Sequence, residues 1–456
     1  MTMVTNIISA VGNNNSVYPL LVRDCGIEVP IKILKTYKQN KDDKEIAYLA
    51  TRERTVDEYA TSFAWIGTIP FVDSCANYFI KKRGFNPDVN IKLANEEAGV
   101  QGLKYNIEKF RNIKGAEEAV KDLEYVLANQ NQYKKLQGTK FFAAMAIPIV
   151  LMGFVIPKFV FAMTAKTRAK KEAMQKVSGG DNFQYSDRSV MFSGKSPFDK
   201  FSLDKNKGVS FKGGFAAAVC NLSTVNKMAI TDGGYAVGRV STARTKNERY
   251  DLAFKMLGMM YLNFVAPKQL EKVLNLMSSK MFKIDSNLDP IILADEKFND
   301  AAMKNILKLP KTNSAKDLLE FVDNIENSKT LFVQYADKFE KIKMLKCGIR
   351  DPRAYVDIKE LGEFRDSMAK YKEGLYNYRE TLLKSNDKSA TTERISKSVK
   401  KYIMKARAAK TFNILANVGI SSYLLACMLP NAQFAFREWL TGSKLEPGLV
   451  QGQNKK

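Results

Sequence analysis

Residues 141–163 read FFAAMAIPIVLMGFVIPKFVFAM, and residues 411–436 read TFNILANVGISSYLLACMLPNAQFAF. The first stretch carries one charge, Lys158, and the second carries none. At a rise of 1.5 Å per residue, a helix over the first is about 34 Å long, enough for a hydrocarbon layer of about 30 Å. Lys158 lies near one end, where its stem can carry the ammonium to the interface. Pro148 and Pro157 kink such a helix, which membrane helices tolerate. In the second stretch Asn413, Asn417 and Ser421 recur every four residues on one face, and that face is expected to meet another helix. The expected fold is therefore all-α and membrane-embedded, with two transmembrane helices. The alternative is two buried helices of a large soluble domain.

Basic residues flank both stretches. Lys166, Arg168, Lys170 and Lys171 follow the first, and Lys397, Lys400, Lys401, Lys405, Arg407 and Lys410 precede the second. These ten are the expected contacts to anionic lipid, the second group on a helix whose Ile395, Val399 and Ile403 recur every four residues. A solvated basic helix is the alternative. The positive-inside rule puts residues 166–410 in the cytoplasm and the last twenty residues outside. Residues 1–30 hold no basic-then-apolar pattern with a cleavage site, so a cleaved secretory signal is not expected.

Two shorter apolar runs carry one charge each: YATSFAWIGTIPFVDSCANYFI (59–80) with Asp73 and LAFKMLGMMYLNFVAP (252–267) with Lys255. If they enter a bilayer, those two charges are functional candidates; if the runs lie at the interface, the charges meet water. Each run follows a charged lead (Arg52-Glu53-Arg54; Lys246 to Arg249), contains a glycine (Gly67; Gly258) and has a proline near or at its end (Pro70; Pro267). Each is later followed by a long apolar stretch with its own late proline, Pro157 or Pro430. Two related halves would give this pattern, and paired proline-interrupted segments point to a transporter-type site. The unequal spacings favour chance similarity instead.

Between these segments the polar chain reads as helical hairpins. Gly115 divides residues 85–138 into two amphipathic helices. Residues 177–215 lack helical period and read as a linker, with short strands at 189–192 and 209–211. Asp232-Gly233 within residues 228–240 signals a hairpin turn, with a glycine-permitted helix break as the alternative. Asn313 or Ser314 is expected to cap a helix ending at Gly348. A second helix carries Leu361, Phe364, Met368, Tyr371, Leu375, Tyr378 and Leu382 in a 4-3 seam. The seam suits an intramolecular hairpin, or a homo-oligomer or protein partner. The expected divisions are 1–57, 58–163, 164–243, 244–310, 311–390, 391–440 and 441–456.

Composition excludes much chemistry. With 72 Lys+Arg, 48 Asp+Glu and no histidine, the net charge is +24 and imidazole-based catalysis or zinc binding is ruled out. The five cysteines (Cys25, Cys75, Cys220, Cys347, Cys427) form no C-x-x-C pair and read as reduced, buried thiols. Residues 189–196 resemble a phosphate loop only in Gly194-Lys195-Ser196, and Pro197 blocks the helix that such a loop needs. No cofactor or catalytic residue is expected, and nucleic-acid binding is disfavoured because the aromatics occupy seams and spans. The expected function is a non-enzymatic membrane protein that anchors or organises partners on anionic lipid. A transporter or channel of two related halves is the alternative, and a membrane-bound enzyme without a recognisable motif is the third.

Overall fold

The prolines inside the apolar runs decide how the long helices are built. A proline cannot donate to the carbonyl four residues earlier, and its ring collides with that carbonyl. In the computed structural model, which describes residues 3–12, 18–94, 96–177, 224–282, 287–384 and 392–444, four helices relieve the clash in the same way. A π-helical stretch ends two residues before each proline: Val22–Glu28 before Pro30, Leu151–Val155 before Pro157, Tyr261–Val265 before Pro267 and Leu424–Met428 before Pro430. The carbonyl at risk (Gly26, Gly153, Asn263 or Ala426) lies inside the widened turn each time. Pro70 and Pro148 have no such turn before them.

The structure is 82% helix, with no strand among the described residues. In chain order, α1 is Met3–Gly12. The run Tyr18–Leu21, Val22–Glu28 and Val29–Gln39 makes α2, and α3 is Lys44–Lys82. A first lobe contains α4 (Leu103–Phe110) and α5 (Glu117–Ala128). Gln130–Val150, Leu151–Val155 and Ile156–Val177 join end to end as α6, and α7 is Thr224–Ser241. Lys246–Met260, Tyr261–Val265 and Ala266–Phe282 form α8. A second lobe contains α9 (Glu296–Met303), α10 (Ala315–Asp323), α11 (Leu331–Lys338) and α12 (Ile358–Lys384). Thr392–Tyr423, Leu424–Met428 and Leu429–Thr441 form α13.

Side-chain pairs set the helix directions. Arg52 of α3 bonds Thr167 of α6 at one end, and Lys140 of α6 donates to Asn77 of α3 at 2.8 Å at the other, so the two are antiparallel. Just past Asn77, Ile80 and Phe85 enter the core of the first lobe with Phe110, Leu123 and Tyr133. The second lobe closes on the same end, because Val399 and Ala406 near the start of α13 lie in its core. Its other end is marked by Arg437 of α13 against Asp251 of α8 at 2.8 Å. The lobes are tied together: Arg353 reaches Asp122 at 2.8 Å, and buried Arg350 reaches Asp323 at 2.7 Å and Asn106 at 3.4 Å. The bundle thus has a lobe end and a remote end.

Two stretches of the chain, 18–177 and 224–441, show a similar order of elements. One helix runs toward the remote end (α2; α7), a tight turn follows, and a long helix returns (α3; α8). A lobe comes next, then a helix with a π turn and proline runs out again (α6; α13). Asp43 and Thr245 cap the returning helices, each accepting from backbone amides of the first turn. The outer face of the bundle is apolar: Phe63, Val237, Leu257 and Trp439 are 69%, 70%, 70% and 79% exposed.

Several expectations change. The Asp232-Gly233 turn is absent; α7 runs through it. The glycines serve packing instead: a Cβ on Gly238 would lie 2.9 Å from the Gly153 Cα, so only glycine permits this approach of α7 to α6. Residues 59–80 and 252–267 are not short helices but parts of the longer α3 and α8, the first the C-terminal half of α3 and the second an inner stretch of α8. The helix expected from Ser314 to Gly348 is broken. Ser314 does cap α10, accepting from the Asp317 amide at 3.1 Å, but Asn324 then takes extended backbone and its side chain caps a short turn instead. Gly348, at φ +85°, shapes a loop, whereas Gly115, at φ +93°, separates helices as expected. Lys166 and the run Lys397 to Lys410 lie toward opposite ends of the bundle, so residues 166–410 do not share one side of it. The thiols of Cys25, Cys347 and Cys427 are half-buried and that of Cys75 is exposed, not buried as expected. Cys220, the 189–196 loop and the expected strands at 189–192 and 209–211 lie outside the described residues.

Candidate functional site: a buried charge network between the halves

Toward the remote end the bundle interior is ionic. Helical spacing assembles it: Glu28 and Lys32 on α2 and Arg54 and Glu58 on α3 are four residues apart, while Glu248, Asp251 and Lys255 share a face of α8. Lys255 Nζ lies 2.8 Å from Glu58 Oε1, which Arg54 also reaches at 3.0 Å. Lys32 pairs with Glu28 and lies 3.7 Å from the other oxygen of Glu58. Asp57 pairs with Arg239 of α7. Arg244, in the turn before α8, reaches Glu248 at 2.8 Å and Glu53 at 3.4 Å. Asp251 takes Arg437 at 2.8 Å and Gln433 at 2.9 Å. Among the described residues, six cations and six carboxylates take part in these contacts.

Three of these contacts, Glu58 to Lys255, Asp57 to Arg239 and Glu53 to Arg244, join α3 of the first half to α7, the turn and α8 of the second. Widened turns adjoin them. Glu28 closes the π stretch of α2. Lys35 donates at 3.0 Å to the Cys427 carbonyl, inside the π stretch of α13, and at 3.0 Å to Asn431. Asn417 donates to the Pro267 carbonyl at 3.2 Å, just past the π stretch of α8. A small cavity of about 50 Å³ opens among Glu53, Asp57, Phe161, Arg239, Arg244 and Gln433. The Arg244 guanidinium stacks over Phe161 at 4.2 Å. Buried Arg239 leaves Nε and Nη1 without hydrogen bonds, as does Asp57 at Oδ1. The chemistry available is exchange of ionic partners and hydration. No group of acidic or cysteine side chains suited to a metal occurs among the described residues.

Of the two intramembrane candidates, Lys255 sits at the centre of this network. Asp73 does not: it is 43% exposed toward the lobe end and lies 3.6 Å from Lys140. Lys166 is exposed at the remote end, and the side chains of Arg168, Lys170 and Lys171 lie outside the described residues. Lys397, Lys400, Lys401 and Lys405 are exposed, Arg407 is half-buried, and Lys410 is buried 3.7 Å from Glu271. The seam is covered by the chain's own second lobe. Leu361, Met368, Tyr371 and Leu375 are fully buried, Phe364 and Leu382 pack against that core, and Tyr378 stacks on Tyr402 at 4.8 Å. Asn413 accepts from Ser278 of α8 at 2.6 Å, so the polar stripe of α13 meets another helix as expected.

Sequence reasoning missed Glu28, Lys32, Asp57, Glu58, Arg239 and Arg437. A signal existed for Glu28, Lys32 and Glu58: opposite charges at four-residue spacing, Glu28 with Lys32 and Arg54 with Glu58, stand beside apolar helix. Comparison with known proteins finds no matching family, curated protein or solved structure.

Proposed function

We propose that this chain is a multi-span integral membrane protein of the transporter or channel class, moving an ion or small charged solute between its two halves. One observation carries the reading: the bundle is turned inside out relative to a water-soluble protein. Phe63, Val237, Leu257 and Trp439 face outward while Lys32, Glu58, Asp251, Lys255 and Arg437 are buried. Lipid outside and charge inside is the arrangement in which intramembrane ionisable groups serve transport. Three further points support it. The two most apolar windows are only 28% and 44% buried by the protein itself. Charge pairs cross from one half to the other. Interrupted helices adjoin them, as in transporters whose sites lie between repeats.

The test is flux of monovalent ions and small charged solutes in proteoliposomes. Lys255→Gln and Glu58→Gln should each lower flux at least tenfold, while Asp73→Asn leaves it unchanged. Flux no greater than in empty liposomes for every solute overturns the reading.

A second reading, an anchor for the lobes on anionic lipid, is favoured by Lys397, Lys400, Lys401 and Lys405, which stand exposed on α13 near the lobe end. Basic residues flank both ends of the bundle, so orientation rests on this densest run. We assign the lobe end to the cytoplasm and Lys166 to the opposite side.

A further inference from the structure

The second lobe carries a groove of about 600 Å³ that is remote from the ionic network and unused by the transport reading. One wall is the irregular segment Asn305 to Lys311; the other is a face of α12 that includes Arg365, Lys372 and Tyr376. Two cations of α12 pin the irregular segment by its carbonyls. Lys372 donates to the Leu307 carbonyl at 3.2 Å, and Arg365 donates to those of Pro310 at 3.0 Å and Lys311 at 2.8 Å. With these donors spent, the ammonium groups of Lys308 and Lys311 remain, both exposed and both without an ionic or hydrogen-bonded partner among the described residues. Glu373 is the only carboxylate of the lining. The amides of Leu307, Lys308, Leu309 and Lys311 donate no hydrogen bond within the described residues, which leaves these donors free. Leu309, Phe321 and Tyr376 supply apolar wall.

We infer that this groove is a docking site for an extended acidic peptide segment of a partner protein. Such a segment matches each feature by a separate interaction. Its backbone carbonyls accept from the free amides, as when a peptide adds to an exposed backbone edge. Its carboxylates meet Lys308 and Lys311, and alternate apolar side chains rest against Phe321 and Tyr376. An anionic lipid headgroup would use the lysines but leave the free amides and the apolar wall unused, so the peptide is the favoured occupant.

The test uses the full chain in neutral-lipid nanodiscs and a fluorescent octapeptide alternating Glu with Leu. Saturable binding that weakens with salt is expected, with slowed hydrogen exchange confined to the amides of residues 307–311. Each exposed charge contact contributes roughly 0.2–1 kcal/mol, so the double variant Lys308→Glu/Lys311→Glu should weaken binding on the order of tenfold. Lys304→Glu/Lys316→Glu, which alters exposed residues outside the groove, should change it less than twofold. Equal binding of a Lys/Leu peptide, indifference to Lys308→Glu/Lys311→Glu, or no slowing of exchange at 307–311 overturns the assignment. So does the same slowing produced by anionic-lipid nanodiscs without peptide, which would make the site a headgroup site.

Discussion

In the second lobe Leu318, Val322, Phe332 and Leu361 have no exposed surface, while the side chain of Lys316 is 77% exposed. In the bundle Arg437 has no exposed surface and Lys255 only 2%, while Leu257, two residues further along the same helix, is 70% exposed. The two regions therefore differ in the balance of what they bury, and the change occurs within single helices. α13 begins with Val399 and Ala406 in the lobe core and ends with Arg437 in the ionic core. The lobe is what hydrophobic burial in water dictates. The exposed apolar groups of the bundle are what the proposed lipid setting would favour, since single exposed apolar groups are ordinary but many on one surface mark a contact with another apolar phase or partner.

The sharpest way to break this contrast is to unpair a buried charge. Asp251→Leu leaves the Arg437 guanidinium buried without its carboxylate and should destabilise the folded protein by about 3–5 kcal/mol. The double variant Asp251→Leu/Arg437→Met should recover most of that loss, read by thermal unfolding in nanodiscs. A double variant no more stable than the single would show that these residues do not act as a pair.

Truncation separates the two regions next. Phe332→Ala in the lobe core should cost about 3–5 kcal/mol, because it removes buried surface and leaves a cavity. Phe63→Ala on the outer bundle face should cost under about 0.5 kcal/mol in lipid, as surface substitutions do. The same unfolding assay checks both, and comparable losses at the two positions would erase the distinction. Gly238→Ala forces a methyl to within 2.9 Å of the Gly153 backbone, and overpacking of this kind costs about 1–3 kcal/mol. The smallest effect is expected at Asp366 on α12. A hydrogen bond from Arg365, followed by one from Asn313, holds its carboxyl below the ordinary value of 3.8. A lowered carboxyl contributes stability above that value and loses it as pH falls through the folded-state value. Asp366→Asn should therefore cost slightly more stability at pH 7 than at pH 3, which paired melts of variant and wild type at the two pH values would reveal.

How much of this was legible in the sequence depends on how local the cause is. The helical character, the cap at Ser314, the division at Gly115 and the polar stripe of Asn413 and Ser421 are local, and each could be read from spacing. The run of Lys397 to Lys410 into an apolar helix was equally plain, because one periodic pattern continues across it. The ionic network was not read beyond Lys255, because its members come from five helices and a turn, and most look like ordinary charged flanks until the helices are packed. Asp73 shows the converse: a charge inside an apolar run that lies on the outer half of its helix and meets Lys140. The Asp232-Gly233 turn failed for a tertiary reason, since Gly234 and Gly238 let α7 pack as a continuous helix against Ile149 and Gly153 of α6. The seam at 361–382 was visible as a periodic pattern, but which surface covers it depends on α9, α10 and α11, whose short lengths the pattern did not reveal.

The central claim is that the bundle lies in lipid with both lobes at one face. Spin labels attached through single cysteines at Phe63, Val237, Leu257 and, as a water reference, Lys316 would test it most directly, with accessibility to oxygen compared with that to a water-soluble nickel complex in nanodiscs. The account predicts oxygen-dominated relaxation at the first three and nickel-dominated relaxation at 316. Nickel-dominated relaxation at all four positions would contradict it, and the apolar belt would then be the surface of a water-soluble assembly.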